Sequence, residues 1–360
     1  MFRSNNMVTV FDFGSKNVKV ITGQVKDKFI KIDDYQIIPT PEGSIVDGKI
    51  INKGDITELL TKIKMKSKNI RILLASSEIV LRTFELPVMD NDELKQAVKF
   101  EMSVLLPESV DEFIVDSNVL EVFTKKNEED NEISMCKVQG VAVLREIIND
   151  YITCFAKAGY KVNVVDIQPN CVTKLFCNEN NYIVADNEKN IDNDNFAIID
   201  FGHEKTSITF IENRDVFLHR NLKLGGKDIT KVISNILDLD FKRAEKWKHE
   251  NDFYFLNKSK MNEIESMLYD EITKIYNDIT LEIYQVIEFF ISMSKLKKID
   301  HIFIIGGGSL IPQIDDYIKK YTNINTEIIK KLNNIEIKNN TSENNVAILA
   351  NTIGAIVRRG

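Results

Sequence analysis

Cysteine and histidine are scarce in this 360-residue sequence, four of each, and the scarcity removes several classes of function. Cys136, Cys154, Cys171 and Cys177 contain no CxxC pair and have no accompanying histidine. That argues against a zinc site and against a disulfide framework, and leaves reduced, buried thiols as the plain reading. His203, His219, His249 and His301 form no nucleophile or metal array and read as structural, as does the single tryptophan, Trp247. No apolar run of about eighteen residues occurs, the length that would suggest a membrane-spanning helix, and MFRSNNM at the N-terminus has no apolar signal segment. Basic blocks are missing as well: 47 Lys and Arg stand against 54 Asp and Glu, a net charge of −7, so nucleic acid is not an expected partner. A cytoplasmic protein is expected, reaching a membrane only if a partner carries it there.

What is present begins with VTVFDFGSKNVKVITG, from Val8 to Gly23. An apolar, β-prone run reaches Asp12, Gly14 supplies the freedom a turn needs, and Val18, Val20 and Thr22 alternate with polar residues, which predicts a hairpin with an acid at its tip. FAIIDFGHEKTSITFIENR, from Phe196 to Arg214, repeats Asp, Phe and Gly in the same order. The chain is long enough for two lobes with separate cores.

Between the hairpins, Phe29 to Asn52 reads as short strands broken by Pro39, Pro41, Gly43 and Gly48, Asp55 as the cap of a helix, and IRILLASS as a buried strand. That is an α/β layout. Val80 to Gly159 reads as a small α+β insert: a helix with Leu94, Val98 and Met102 at four-residue spacing, two strand-like runs joined by the charged KKNEEDNEIS, and a helix stopping at Gly159. A polar, Asn/Asp-rich linker is expected up to Asn195. After the second hairpin come LGGKDITKVISNIL, DFKRAEKWKHE and a stretch from Asn262 to Leu296 without Gly or Pro, either one long helix or two stacked ones. DHIFIIGGGSLIPQIDDYIKKY is a buried strand running through three glycines into a helix; a polar loop and a last helix, VAILANTIGAIVRR, follow.

The chemistry concentrates at four places. Backbone N–H groups around Gly14, Ser15 and Lys16, and around Gly202, His203 and Glu204, suit an anion. Asp12 and Asp200 suit a hydrated Mg2+, which keeps most of its waters, and Lys16, Ser15 or Thr206 would reach phosphates. For either tip alone, a β-turn with Asp capping backbone amides is the competing reading. A kinase would need an HRD loop and a VAIK strand, and this chain has neither. The Gly306–Pro312 run GGGSLIP allows something flat to approach the backbone, but it matches neither the P-loop nor the GxGxxG pattern. Glu245 and Lys248 lie three apart on a helix, placed to pair with each other or to bracket a polyol such as ribose.

Two phosphate hairpins followed by a helical stretch and a Gly-rich turn resemble the actin/Hsp70/sugar-kinase ATPase superfamily. DFGSKNVKV, FELPVMDNDELKQAVKFEMSVLLPES, LGGKDIT and the AEKWK element most resemble the PilM family of type IV pilus assembly proteins, relatives of the division protein FtsA. The resemblance covers nearly the whole chain. It implies an α/β, two-lobed actin-like ATPase fold with ribonuclease H-like repeats and an FtsA/PilM-type 1C insert. Subdomain 1A would be residues 1–79 and 160–195, 1C 80–159, 2A 196–224 and 299–360, and 2B 225–298. ATP and Mg2+ would lie between the lobes, with Asp12, Gly14, Ser15 and Lys16 as one phosphate loop and Asp200, Gly202 and Thr206 as the other. Glu245 and Lys248 would contact ribose, and Gly306, Gly307, Gly308 and Ser309 adenosine.

Many relatives place a Glu before Pro to orient the attacking water; VDIQP has Gln168 there, with Asp166 two residues earlier. An amide cannot act as general base, so tight nucleotide binding with slow hydrolysis is expected, Asp166 being the only nearby substitute. By resemblance the partner is the N-terminal cytoplasmic tail of a PilN-like membrane protein, gripped between 1A and 1C, with links to a PilC-like platform protein and the pilus motor ATPases, and with homo-oligomers open. FtsA-type proteins end in a linker and an amphipathic membrane helix, whereas this sequence stops at VRRG, so recruitment through a partner is expected. An FtsA-like filament former is the alternative, and a small-molecule kinase of the same superfamily a third reading that only the shared fold favours.

Overall fold

The first Asp-Phe-Gly hairpin opens one sheet and the second opens another. In the computed structural model, which describes residues 7–27, 29–126, 130–177, 195–251, 261–294, 298–311, 313–332, 335–338 and 344–357, β1 (Val8–Phe13) is buried at every position. It turns through Gly14 into β2 (Asn17–Lys26), paired antiparallel from Val8↔Gly23 to Phe13↔Val18. β3 (Phe29–Pro39) continues the meander. β4 (Ile45–Val46) and β5 (Lys49–Ile50) then fold about Asp47 and Gly48, whose φ of 46° and 74° are the left-handed pair that a tight Asp-Gly hairpin needs. α1 (Lys53–Lys62) is capped by Asn52, which accepts from the N–H groups of Gly54 and Asp55. Asp55 is therefore not the cap; it sits in the first turn, favoured by the helix dipole, and accepts the Ser44 hydroxyl. β6 (Ile70–Leu74), wholly buried, runs parallel to β1.

The insert is built from β7 (Val80–Pro87), α2 (Asn91–Ser103), β8 (Phe113–Lys126) and β9 (Glu132–Leu144), an antiparallel sheet in the order β7-β9-β8. Leu94, Val98 and Met102, at their predicted spacing, face a small core of its own with Cys136, Val138 and Ala142. α3 (Arg145–Lys157) does not belong to that core. Its apolar stripe of Ile147, Ile148, Tyr151, Cys154 and Phe155 packs into the first lobe, so the insert ends at Leu144 rather than at Gly159. Gly159, at φ +84°, still stops the helix. β10 (Val162–Ile167) pairs parallel with β6, and α4 (Gln168–Phe176) starts immediately after it.

The second sheet holds β11 (Phe196–Phe201), β12 (Thr206–Glu212) and β13 (Asp215–Leu222) as a meander. α5 (Gly226–Leu237) and α6 (Phe241–Glu250) follow, and α7 (Glu263–Met293) is one continuous helix capped by Asn262 and Glu265. Leu268, Ile272, Tyr276, Ile279, Ile283, Ile287 and Phe290 form its buried stripe. β14 (His301–Ile305) lies parallel to β11, and α8 (Ile314–Thr322) returns to β15 (Asn325–Ile328). The two sheets repeat one order: β3-β2-β1-β6-β10 in the first, β13-β12-β11-β14-β15 in the second.

The C-terminal segment departs from the expected assignment of 299–360 to the second lobe. β16 (Ile335–Ile337) pairs parallel with β3 at the edge of the first sheet, and α9 (Asn344–Gly354) packs between the two sheets: Leu349, Ala350 and Ile353 share a core with Phe11 and Ile21 of the first and Phe303 and Ile305 of the second, and the Ala347 carbonyl accepts the Gly306 N–H. The buried guanidinium of Arg71 on β6 draws it there, donating to the carbonyls of Ala355 and Ile356 at 2.8 and 2.9 Å. Most of the expected linker (178–194), part of the joint after β8 (127–129), most of the polar loop before α9 (333, 334 and 339–343), Leu296, Pro312, MFRSNN and the final residues 358–360 lie outside the described residues. No helix among the described residues is long and apolar enough to cross a membrane.

Candidate functional site

Because β1 and β11 occupy equivalent places in two facing sheets, their C-terminal ends bring Asp12 and Asp200 to one cleft of about 480 Å³. Gly14, Ser15, Lys16, Gly202, Gln168, Glu245, Lys248, Gly307 and Gly308 line the same space. A cavity of several hundred cubic ångströms at the junction of two lobes, with convergent polar groups, is what a small-molecule ligand requires.

Antiparallel register places Lys19 opposite Asp12, and its Nζ lies 3.1 Å from Asp12 Oδ2. Burial acts to lower the Lys19 pKa, but the charges of Asp12 and then Asp200 outweigh it and hold the ammonium above the ordinary lysine value. Burial pushes the Asp200 carboxyl up, against Lys19 and a hydrogen bond from Asn351. Asp200 Oδ2 accepts from Gln168 Nε2 and from Asn351 Nδ2, each at 2.6 Å. On the other side Gly306, at φ +87°, comes so close that a Cβ there would stand 2.1 Å from Asp200 Oδ1. Only glycine fits between the strand end and that carboxylate.

Across the cleft Lys16 donates to Glu245, and Lys16 Nζ lies 2.9 Å from His249 Nε2. Glu245 also takes Lys248 at 2.7 Å, so the i, i+3 pair does pair with itself while facing the cleft. Burial would raise the Glu245 carboxyl, yet His249, Lys248 and Lys16 together hold it far below the carboxylate range. Burial lowers Lys248, which is bound by the Gly226 carbonyl at 2.9 Å and Thr230 Oγ1 at 2.7 Å. A second bridge joins the lobes: Lys205 Nζ reaches Asp47 Oδ1 at 2.7 Å and the Ala75 carbonyl at 2.9 Å, and the Asp47 N–H donates to Glu204 at 2.8 Å.

Four residues named from sequence do not line the cleft. Thr206 is fully buried with its hydroxyl on the Leu224 carbonyl, because the register of β12 turns it away from the tip. Ser309 bonds back to the Gly306 carbonyl, and Gly306 itself acts through Asp200. Asp166 is ion-paired with Lys174 in the last turn of α4 and offers no free carboxylate to the cleft, which corrects its role as substitute base. Gln168 does line it, as a clamp on Asp200. Sequence reasoning missed Lys19, Lys205 and Asn351, and set His203 and His249 aside as structural although both line the cleft. The signals were there: Lys19 is the cross-strand partner of Asp12, and Asn351 is an amide inside the largely apolar run VAILANTIGAIV.

Among the described residues no group of three or more His, Cys, Asp or Glu side chains is arranged to hold a metal. Two opposed carboxylates, one with both amide donors already on Oδ2, suit a cation bound through its water and through ligand oxygens, not a bare ion in a protein cage.

A family profile described as type IV pilus assembly protein PilM matches residues 11–354. The chain belongs to the PilM family. Its fold is shared by solved structures. The PilM–PilN type IV pilus biogenesis complex superposes at a TM-score of 0.77, with 19% identity and 97% of each chain covered. The ethanolamine utilization protein EutJ of Carboxydothermus hydrogenoformans follows at 0.54, with 10% identity over 97% of this chain and 88% of EutJ. Among curated relatives, cell division protein FtsA of Staphylococcus epidermidis (ATCC 12228) is 24% identical over 340 residues, 83% of this chain and 68% of FtsA. FtsA of Bacillus subtilis is 21% identical over 282 residues, 72% of this chain and 61% of that protein. The fold of this PilM-family chain is the two-lobed actin-like ATPase fold.

Proposed function

We propose that this PilM-family protein is an ATP-binding adaptor of a type IV pilus inner-membrane assembly platform, recruited to the cytoplasmic face of the membrane by the N-terminal tail of a PilN-like protein. The observation that carries the reading is the convergence of both Asp-Phe-Gly tips, the Gly307–Gly308 turn and the Glu245–Lys248 pair on one cleft. Support for the partner comes from the likeness to a PilM held in complex with PilN, and support for the nucleotide from the MreB5 of Spiroplasma citri bound to AMPPNP, which superposes at a TM-score of 0.50 with 13% identity.

Within the cleft the work divides by charge. The turns at Gly14 and Gly202, with Lys16, Lys19 and Lys205, would receive phosphate oxygens, and Glu245 with Lys248 would bracket the ribose. Asp12 and Asp200 would hold a hydrated Mg2+, which when bound neutralises phosphate charge. Lys16 reaches Glu245 across the cleft, so groups meant for phosphate and for ribose engage each other until a nucleotide separates them. Hydrolysis is slow because the amide of Gln168 cannot take a proton from water and is tied to Asp200, while Asp166 is tied to Lys174.

The adaptor role is tested by pull-down of the full chain on synthetic cytoplasmic tails of the pilus membrane proteins, with Mg-ATP and with EDTA. Capture by a PilN-like tail, altered by nucleotide, is expected; failure of every tail under both conditions contradicts it. An FtsA-like filament former is the second reading, favoured by the sequence likeness to FtsA over 83% of the chain. Nucleotide-dependent sedimentation without any partner would support it instead.

A further inference from the structure

The cleft presents two kinds of hydrogen-bonding group. Lysine ammoniums and backbone N–H groups donate, and Asp12 and Asp200 accept. Asn351, which enters from α9 and is 4% exposed, belongs to both. Its Nδ2 donates to Asp200 Oδ2, the same oxygen that Gln168 Nε2 occupies. With two amide donors on one oxygen and Gly306 against the other, the carboxylate is held in a single orientation. The carbonyl oxygen of Asn351 is buried and has no hydrogen-bond partner among the described residues.

A buried carbonyl without a donor is costly and rare, so one on a side chain that lines a ligand cleft points to a donor that arrives with the ligand. Phosphate oxygens at neutral pH accept and would set acceptor against acceptor. A hydrated divalent cation presents water O–H donors on its outer surface, and Mg2+ parts with its waters reluctantly. Acceptors from Asp12, Asp200 and the Asn351 carbonyl would together match such a shell.

We propose that Asn351 is a positioning residue for the hydrated Mg2+ that accompanies the nucleotide, its N–H fixing Asp200 and its carbonyl accepting from a water of the cation. The inference rests on the nucleotide reading of the cleft. Its test is the ratio of ADP affinities measured by calorimetry on the full chain with Mg2+ and in EDTA. Magnesium tightens ADP binding in the wild type, and in Asn351→Leu, close in volume and without polar atoms, that gain falls about fivefold or more, the worth of one or two hydrogen bonds. Asn351→Ser, too short to reach Asp200 and a water together, gives the same fall and serves if the leucine variant does not fold. A gain within about twofold of wild type in both variants, including equal weakening with and without Mg2+, overturns the inference and leaves the nucleotide reading standing. Absence of ADP and ATP binding by the wild type overturns both.

Discussion

At Gly306 a hydrogen stands where any other residue would place a carbon 2.1 Å from the Asp200 carboxylate and 2.7 Å from the Phe201 carbonyl, in a backbone conformation (φ 87°, ψ 178°) reserved for glycine. Gly306→Ala is expected to cost about 3 kcal/mol, from backbone strain and overpacking together, read as a lowered denaturant midpoint at constant slope. His219 gives a prediction in pH. Burial first, then Lys205 and Arg220, push its imidazole down to about 3, so it is neutral in the fold, where its Nδ1 lies 2.9 Å from Thr209 Oγ1. The unfolded chain takes up that proton near pH 6.5, so the stability tied to a neutral His219 is complete above about 6.5 and lost progressively as pH falls toward 3. Between pH 7 and 5 the wild type is expected to lose about 2 kcal/mol more than His219→Gln in denaturant titrations. Parallel losses in the two proteins would show that His219 is not the group responsible. The residues that carry these predictions differ in how readable they were. Gly306 stood out as one of three glycines after a buried strand, while the neutrality of His219 depends on which charges the tertiary fold places around it.

Elements were legible where one local pattern decided them. The turn glycines and alternating residues placed β1, β2, β11 and β12, and the apolar stripe placed helix over α7 while leaving one helix or two open, which the structure resolves as one capped by Asn262. What failed was decided by distant packing. The stripe on α3 is equally good for the insert or the first lobe, and only the facing α1 and β1 settle it. Likewise nothing local says that β16 joins the edge of the first sheet or that α9 packs between the two; Arg71, far away on β6, binds the carbonyls just beyond α9. The crossing of α4 and α9 is tight: a Cβ on Gly354 would stand 2.0 Å from the Cys171 carbonyl. Gly354→Ala should therefore force the two helices apart and lower stability by about 2 kcal/mol in equilibrium unfolding, and a change below about 0.5 kcal/mol would mean that the pair is not packed as described. Since α4 carries Gln168 and α9 carries Asn351, the same substitution displaces both amides from Asp200.

For the whole molecule, duplication explains the site. Two sheets with one strand order each present an Asp at the end of the first strand, so folding either half makes half a site and only their apposition makes the cleft. The lobes are held across it by charge, Lys16 to Glu245 and Lys205 to Asp47, and of these Lys16, Lys205 and Glu245 are also groups that phosphate and ribose would claim. Repetition of the Asp-Phe-Gly tip was visible in sequence, and with it the cleft; the interlobe bridges were not, because Asp47 and Lys205 lie 158 positions apart and share no motif. Calorimetric titration of the full chain with Mg-ATP tests the account most directly. It predicts saturable binding of one nucleotide per chain that weakens at least about tenfold in Asp200→Asn, where a charge-assisted contact is lost. Absence of binding by the wild type, or equal binding by Asp200→Asn, would contradict it.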